Sequence, residues 1–337
     1  MRPFEYAHPE TEAQAVELLN DHGGDTAILA GGTDLIGLMK QELLSPERVV
    51  DLQHVESMRG IAPTPDGVSI GALTTLEEIA DSQLAVDYPS LLNVVDGHRS
   101  IQIQSMGTLG GDLCHLPNCW YFRNGYGLLA TEDGESLVEE GDNRYHAILG
   151  ANGPAKFVSA SRFAPALIAL GAQVRILGPG PEDEETVPLE YFYITPKTES
   201  QGVNVMKPGQ FVSHVLLPSA VSRDAQLAKQ SAAYEVLEIE GLDWPLAAAA
   251  CSLEIDGGIV RDAKVVLGQV APTPWVSHEA ASAIIGRPLT EETADEAGRA
   301  AVASARALSK NEYKIWQAKT AVKRALLAAA GLPTGGL

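Results

Sequence analysis

Two short turns, each with adjacent glycines and a threonine, limit what this chain can fold into more than any other feature. They are Ala30-Gly31-Gly32-Thr33-Asp34-Leu35 and Gly107-Thr108-Leu109-Gly110-Gly111-Asp112. The first follows the apolar run 26–29 and precedes Leu35, Ile36, Leu38 and Met39 at helical spacing, so it reads as strand, turn, helix. Glycines at such a handover let backbone N–H groups approach an anion with no side chain in the way, and the helix N-terminus adds partial positive charge. Thr33 adds a hydroxyl donor. The second turn follows 101–104, which reads as an extended run, and offers N–H groups and a threonine hydroxyl of the same kind. Two such turns can clamp one diphosphate. Neither has the spacing of the Rossmann fingerprint or of the phosphate loop of nucleotide triphosphatases. Taken alone, the first reads more readily as a plain structural turn than as a ligand site.

An anion bound by backbone alone is compatible with the charge of the chain. Its 44 acidic and 24 basic side chains give a formal net charge of -20, which argues against a nucleic-acid partner. The length of 337 residues predicts two compact units, with room for sub-domains. The three cysteines, Cys114, Cys119 and Cys251, are too few for a disulfide scaffold, so a reducing compartment, the cytoplasm, is expected. The N-terminus lacks the pattern of a secretory signal, and no apolar run is long enough to span a bilayer.

Short α and β units alternate along the chain. Thr11 and Gln14 form a capping box before a helix stopped by Gly23 and Gly24, and Thr75 and Glu78 form another. Strands are expected at 49–52, 68–72 and 173–176, a helix at 163–170, and an exposed turn at 178–185. The acidic, glycine-rich stretch 124–144 reads as a long surface loop. A boundary is placed between 218 and 230. Beyond it, Thr293 and Glu296 are expected to cap a helix reaching about residue 307, and Asn311 a second helix ending at Gly331.

The two turns, with Gly71-Ala72-Leu73-Thr74-Thr75-Leu76 between them, resemble the flavoprotein subunits of the xanthine dehydrogenase and carbon monoxide dehydrogenase family of molybdenum hydroxylases. The resemblance continues through 161–170, 243–246, 266–275 and 311–314. It implies an α+β fold: a two-part FAD-binding domain of the vanillyl-alcohol oxidase type at 1–57 and 58–225, then an α+β C-terminal domain at 226–337. It implies FAD contacts at Leu29, Ala30, Gly31, Gly32, Thr33, Asp34, Leu35, Thr108, Gly110, Gly111, Asp112, Ser161 and Leu170. Asp243 and Trp244 would lie towards the isoalloxazine ring. It also implies a large partner carrying molybdopterin, a small partner carrying two-iron clusters, and a dimer of heterotrimers as the expected assembly.

The sequence also departs from that family. Asp112 stands where asparagine is usual, Arg162 where aspartate follows serine, and Glu235 where lysine is common, so contacts to the ribityl chain and ring are expected to differ. Asn118-Cys119-Trp120-Tyr121-Phe122-Arg123 resembles a segment of the aldehyde oxidoreductase and 4-hydroxybenzoyl-CoA reductase branch, where four cysteines hold an extra four-iron cluster. Only Cys119 stands at a matching place, so that cluster is expected to be absent. Cys114, His115 and the remaining histidines follow no zinc spacing, and no metal ligand is expected. No catalytic dyad or triad stands out, so the cofactor must carry the reaction. The function expected is electron transfer, from two-iron clusters to FAD and on to an external acceptor that the sequence does not choose among NAD, oxygen, a quinone or a ferredoxin. A free-standing flavin oxidase or reductase, or a scaffold that has lost flavin, are the alternatives.

Overall fold

The structure, a computed structural model of the chain, describes residues 1–20, 25–221, 228–239 and 243–335. The expected helix stop at Gly23 and Gly24 and part of the expected boundary, 222–227, lie outside the described residues.

The chain opens with a three-stranded parallel sheet in the order Glu5–Ala7, Arg48–Asp51, Thr26–Leu29. Parallel neighbours need crossovers, and the helices Glu12–Asn20 and Leu35–Lys40 fall between the strands. The middle strand, Arg48–Asp51, is buried along its whole length. A five-stranded antiparallel sheet follows in the order Ile61–Thr64, Gly67–Gly71, Phe211–Pro218, Gln173–Leu177, Glu184–Pro188. Phe211–Pro218 returns from far along the chain to pair with both Gly67–Gly71 and Gln173–Leu177, which ties residues 61–218 into one body. The core of this half gathers Phe163, Phe192, Phe211, Ile70 and Val215.

The last unit is a four-stranded antiparallel sheet, Gln230–Val236, Ala247–Asp256, Ile259–Gly268 and Trp275–Val276 in sequence order. The helices His278–Ile284, Glu291–Ala301 and Tyr313–Ala329 accompany it. Side chains alternate across a strand, and Ala247–Asp256 shows why its first residues are small. Ala247, Ala249, Cys251 and Leu253 belong to the core under the Tyr313–Ala329 helix, whereas Ala250 belongs to the core of the first half, which includes the helix Phe163–Ala169. The strand is covered on both faces, and alanine lets both helices come close.

A buried ion pair crosses the same seam. Arg162, just before Phe163–Ala169, meets Glu235 of Gln230–Val236 through both ends of its guanidinium, with Nε to Oε1 at 2.9 Å, and the two side chains are 6% and 7% exposed. The two departures from the family pattern thus satisfy one another. Burial still raises the Glu235 carboxyl above its ordinary value, the guanidinium opposing it.

Several local expectations hold and others are corrected. Thr75 and Glu78 form the expected box, with reciprocal bonds of 3.2 and 2.7 Å. The run 101–104 is not extended: it is the start of the helix Ile101–Met106, with Ser100 accepting from the Ile103 N–H at 3.4 Å. Its alternation of isoleucine and glutamine mimics a strand, but no residue of that helix is buried, so no sheet face is there to be covered. The stretch 124–144 is not wholly a surface loop. Leu128, Leu129, Ala130, Val138 and Asn143 are buried, a small hairpin pairs Thr131–Glu132 with Glu135–Ser136, and the Glu199 carboxylate accepts from the N–H groups of Leu128 and Leu129 at 2.6 and 2.9 Å. The expected turn at 178–185 gives way to the strand Glu184–Pro188 for its last two residues. Thr290 with Thr293, not Thr293 with Glu296, makes the capping box, and that helix ends at Ala301. Asn311 does not cap the last helix. Its Oδ1 accepts from the Leu308 N–H at 2.7 Å, and its amide donates to the carbonyls of His146 and Ala147.

Removing one member of the buried pair leaves an uncompensated charge, which costs about 3–5 kcal/mol, whereas replacing both by apolar residues is close to neutral. Arg162→Met is therefore expected to lower unfolding free energy in urea by about that amount, and Arg162→Met with Glu235→Leu to regain most of it. Equal loss in the single and double variants would show that the pair does not hold the seam.

Candidate functional site

The two glycine turns face one cavity of about 620 Å³. Its lining includes Ala30, Gly32, Thr33, Asp34 and Leu35 from the first turn, Thr108, Gly110, Gly111 and Asp112 from the second, and Asp243 and Trp244 from the last unit. Leu29 and Gly31 stand behind the first turn, and Ser161 and Leu170 are buried outside the lining. Leu38, Leu52, Leu73, Leu76, Ile103 and Phe211 supply apolar wall. The volume is that of a site for an extended small molecule.

The first turn is built to receive an anion. Gly32 has φ of +70°, a backbone conformation that glycine adopts without strain. Among the described residues, none accepts a hydrogen bond from the backbone N–H of Gly31, Gly32, Thr33, Asp34 or Leu35, and Asp34 at the helix N-cap makes no side-chain cap. These successive donors lie at or beside the cavity, at the positive end of the helix Leu35–Lys40.

The second turn works differently, and the expectation that its N–H groups are on offer is corrected. Leu109 N–H donates to the Thr74 carbonyl at 3.0 Å, Gly110 N–H to Ala72 at 2.8 Å, Gly111 N–H to Thr108 Oγ1 at 3.2 Å, and Asp112 N–H to the Thr108 carbonyl at 2.9 Å. Thr108 is the N-cap of the helix Leu109–Leu113, and what this turn keeps on offer is the proton of its hydroxyl and its own backbone N–H, which has no acceptor among the described residues. The glycines here serve close approach: a Cβ on Gly110 would lie 2.7 Å from that of Ala72.

Two of the acidic side chains at the site, Asp34 and Asp112, are already engaged. The Asp34 carboxylate is held by Arg123, Nη1 to Oδ1 at 2.6 Å, and His115 Nε2 stands 3.6 Å away. Arg123 is fixed in turn by the carbonyls of Leu116 and Pro117, both at 3.0 Å. Asp34 therefore closes the floor of the turn without repelling an anion above it. Sequence spacing gave no sign of Arg123, which lies 89 residues from its partner. Asp112 accepts from Ser161 Oγ and from the N–H groups of Arg162 and Phe163 at 3.1 and 3.0 Å, which anchors the start of the helix Phe163–Ala169. In the same wall, His98 Nδ1 donates to the Val94 carbonyl at 2.9 Å, and burial, helped by the charge of Arg162, pushes its pKa down to about 4, so the ring is neutral. Trp244 stands edge-on to His115 with ring centres 4.9 Å apart.

Residues 2–220 match the model of the FAD binding domain in molybdopterin dehydrogenase, and residues 232–329 that of the CO dehydrogenase flavoprotein C-terminal domain. The chain belongs to the molybdopterin dehydrogenase FAD-binding family. It is 25% identical to the carbon monoxide dehydrogenase medium chain of Hydrogenophaga pseudoflava over 97% of this chain and 96% of the relative. It is 26% identical to the aldehyde oxidoreductase FAD-binding subunit PaoB of Escherichia coli over 95% and 96%. A solved Cu,Mo-CO dehydrogenase in its cyanide-inactivated form superposes with a TM-score of 0.76 at 25% identity, covering 98% of this chain and 99% of that one. The α+β architecture, an FAD-binding domain followed by a flavoprotein C-terminal domain, is that of the family.

The cavity fits the cofactor of that family: open N–H groups for a diphosphate and apolar walls for the flat ends of the molecule. Arg123→Ala would leave Asp34 without its guanidinium beside the first turn, which is expected to cost a diphosphate bound there about 2 kcal/mol, roughly thirtyfold in Kd. Titration of the FAD-free chain, followed by flavin fluorescence, is expected to show that loss, and Asp34→Asn in the same chain to recover much of it. Wild-type affinity in Arg123→Ala would mean that the pair does not screen the site.

Proposed function

We propose that this chain is the flavin-bearing medium subunit of a molybdenum hydroxylase, receiving electrons from a small iron–sulfur partner and passing them to an external acceptor. The observation that carries the reading is the run of unpartnered N–H groups from Gly31 to Leu35 over a cavity large enough for a dinucleotide. Bound there, FAD supplies the redox chemistry, because it exchanges electrons both singly and in pairs.

The chain's own residues do the rest. Gly32, Thr33, Asp34 and Leu35 hold the diphosphate through their N–H groups, with the Thr108 hydroxyl opposite. Gly110 and Gly111 keep the second turn slim enough to let it pass. Asp243 and Trp244 reach in from the last unit, where a carboxylate and an indole beside the ring tune its electron affinity. Leu29, Gly31, Ser161 and Leu170, outside the lining, act through the residues in front of them. The division into 1–57, 58–225 and 226–337 then has a functional meaning, with the first two parts holding the cofactor and the third covering it.

A large molybdopterin partner and a small two-iron partner follow from the relatives, which are named medium chain or FAD-binding subunit and match along nearly their whole length. That same coverage weighs against a free-standing flavin oxidase. A dimer of such heterotrimers and a cytoplasmic location complete the proposal; among the described residues no helix is long and apolar enough to cross a membrane. Purification of the native complex is expected to yield this chain with two partner chains, and FAD, molybdenum and two-iron clusters without a four-iron cluster. A chain that purifies alone, yellow and active, would overturn the assignment.

A further inference from the structure

Arg162 lines the cavity proposed for FAD while its charge is answered by Glu235. The pairing is side-on. Nε and Nη2 donate to the two carboxylate oxygens, which leaves Nη1 at the corner of the guanidinium away from Glu235. Among the described residues nothing accepts from Nη1, and the atom is not sealed in: it keeps open surface, on a residue that is 7% exposed and lines the cavity. The ion pair, neutral as a whole, turns its positive end to the cavity.

His98, in the same lining, offers the complement. Its Nδ1 proton goes to the Val94 carbonyl and the ring is neutral, so Nε2 is a bare acceptor. Nε2 has no donor among the described residues and, like Nη1, is not sealed in. The two groups are neighbours. A Cβ on Gly97, the residue before His98, would lie 2.5 Å from Arg162 Nη2, so the guanidinium packs directly on that peptide. The ring of His98 in turn stacks on Phe163, the residue after Arg162, with centres 6.0 Å apart.

A donor and an acceptor fixed side by side match a ligand edge that carries a carbonyl beside an N–H. In FAD that edge is the pyrimidine side of the isoalloxazine, where the C2 carbonyl stands next to N3–H. The surroundings agree. His115, edge-on to Trp244 at 4.9 Å, is close enough for its charge to act on His98, so His98 stands at the end of the cavity that Trp244 reaches into.

We propose that Arg162 and His98 seat the pyrimidine edge of the flavin, with Nη1 donating to the C2 carbonyl oxygen and Nε2 accepting from N3–H. The inference rests on the reading that the larger cavity holds FAD, and adds the two side chains that fix which way the ring faces. It also gives the buried pair a part in the reaction. Reduction by two electrons with uptake of one proton leaves negative charge on N1 and the C2 oxygen, beside the guanidinium. A cation already in place in a poorly solvated wall stabilises that charge without reorganising. Glu235, behind the guanidinium, holds Arg162 in position and tempers its effect.

The test uses the full chain loaded with FAD, or with FAD methylated at N3, which has lost the N–H. Wild type is expected to bind the methylated cofactor about tenfold more weakly, as loss of one hydrogen bond requires, and His98→Ala to bind the two alike. Arg162→Met with Glu235→Leu removes the guanidinium without leaving a lone buried charge. Its flavin, equilibrated with a dye of known potential, should lose about tenfold of its preference for the reduced form, which lowers the potential of a two-electron couple by about 30 mV. A purely structural pair would not move the potential. Unchanged potential in the double variant with FAD still bound would overturn the inference, as would equal affinity of wild type for the two cofactors. Equal weakening of FAD and ADP binding at an unchanged potential would put the adenine there and overturn it too. Should the double variant fail to fold, the methylated cofactor still decides. A wild-type chain that binds no FAD would sink the reading of the cavity, and the inference with it.

Discussion

The packing of Gly31 against the peptide before the second turn sets the geometry of everything around it. A Cβ at Gly31 would lie 1.7 Å from the carbonyl oxygen of Met106, so any side chain there would push the two turns apart. With the turns in contact, the N–H groups of the first and the hydroxyl of Thr108 look into the same space. The strand Gly67–Gly71 and the residues after it set the second turn in place through the carbonyls of Ala72 and Thr74. Phe211–Pro218 then holds that strand from the other side. The site is thus a consequence of how two loops, seventy-odd residues apart, are permitted to touch.

A chain with a net charge of -20 can still bind an anion because the charge that matters is local. Asp34 is neutralised by Arg123, and Asp112 spends its carboxylate on Ser161 and on two backbone N–H groups. Arg162 is held by Glu235, so no free cation is offered there either. What remains facing the cavity from the first turn is backbone, whose partial charges need no counter-ion and are fixed by the fold. The same economy governs the seam between the two halves, where alanines on Ala247–Asp256 bring helices close on both faces.

Local patterns in the sequence carried the local structure. The strand, turn and helix around Gly31, the capping box at Thr75 and the helix at Phe163 are each written within a few residues of chain. The distant pairs are not: Asp34 with Arg123, Arg162 with Glu235 and Cys119 with His146 join segments that no spacing relates. The second turn shows the limit most clearly. Its sequence matches the first in kind, yet the N–H groups from Leu109 to Asp112 are consumed by the carbonyls of Ala72 and Thr74 and by Thr108, a fact of tertiary structure. The run 101–104 has strand-like alternation and forms a helix, since alternation fixes a strand only where one face is buried. The resemblance to a flavoprotein family supplied the cofactor; the geometry assigns different work to its two turns.

That difference is open to direct measurement by amide hydrogen exchange on the chain with and without FAD. The account predicts fast exchange at Gly32, Thr33, Asp34 and Leu35 in the FAD-free chain and strong protection once FAD is bound. It predicts that Leu109, Gly110 and Gly111 are already protected before FAD is added and change little. Protection gained at the second turn with none at the first would contradict the account at its centre.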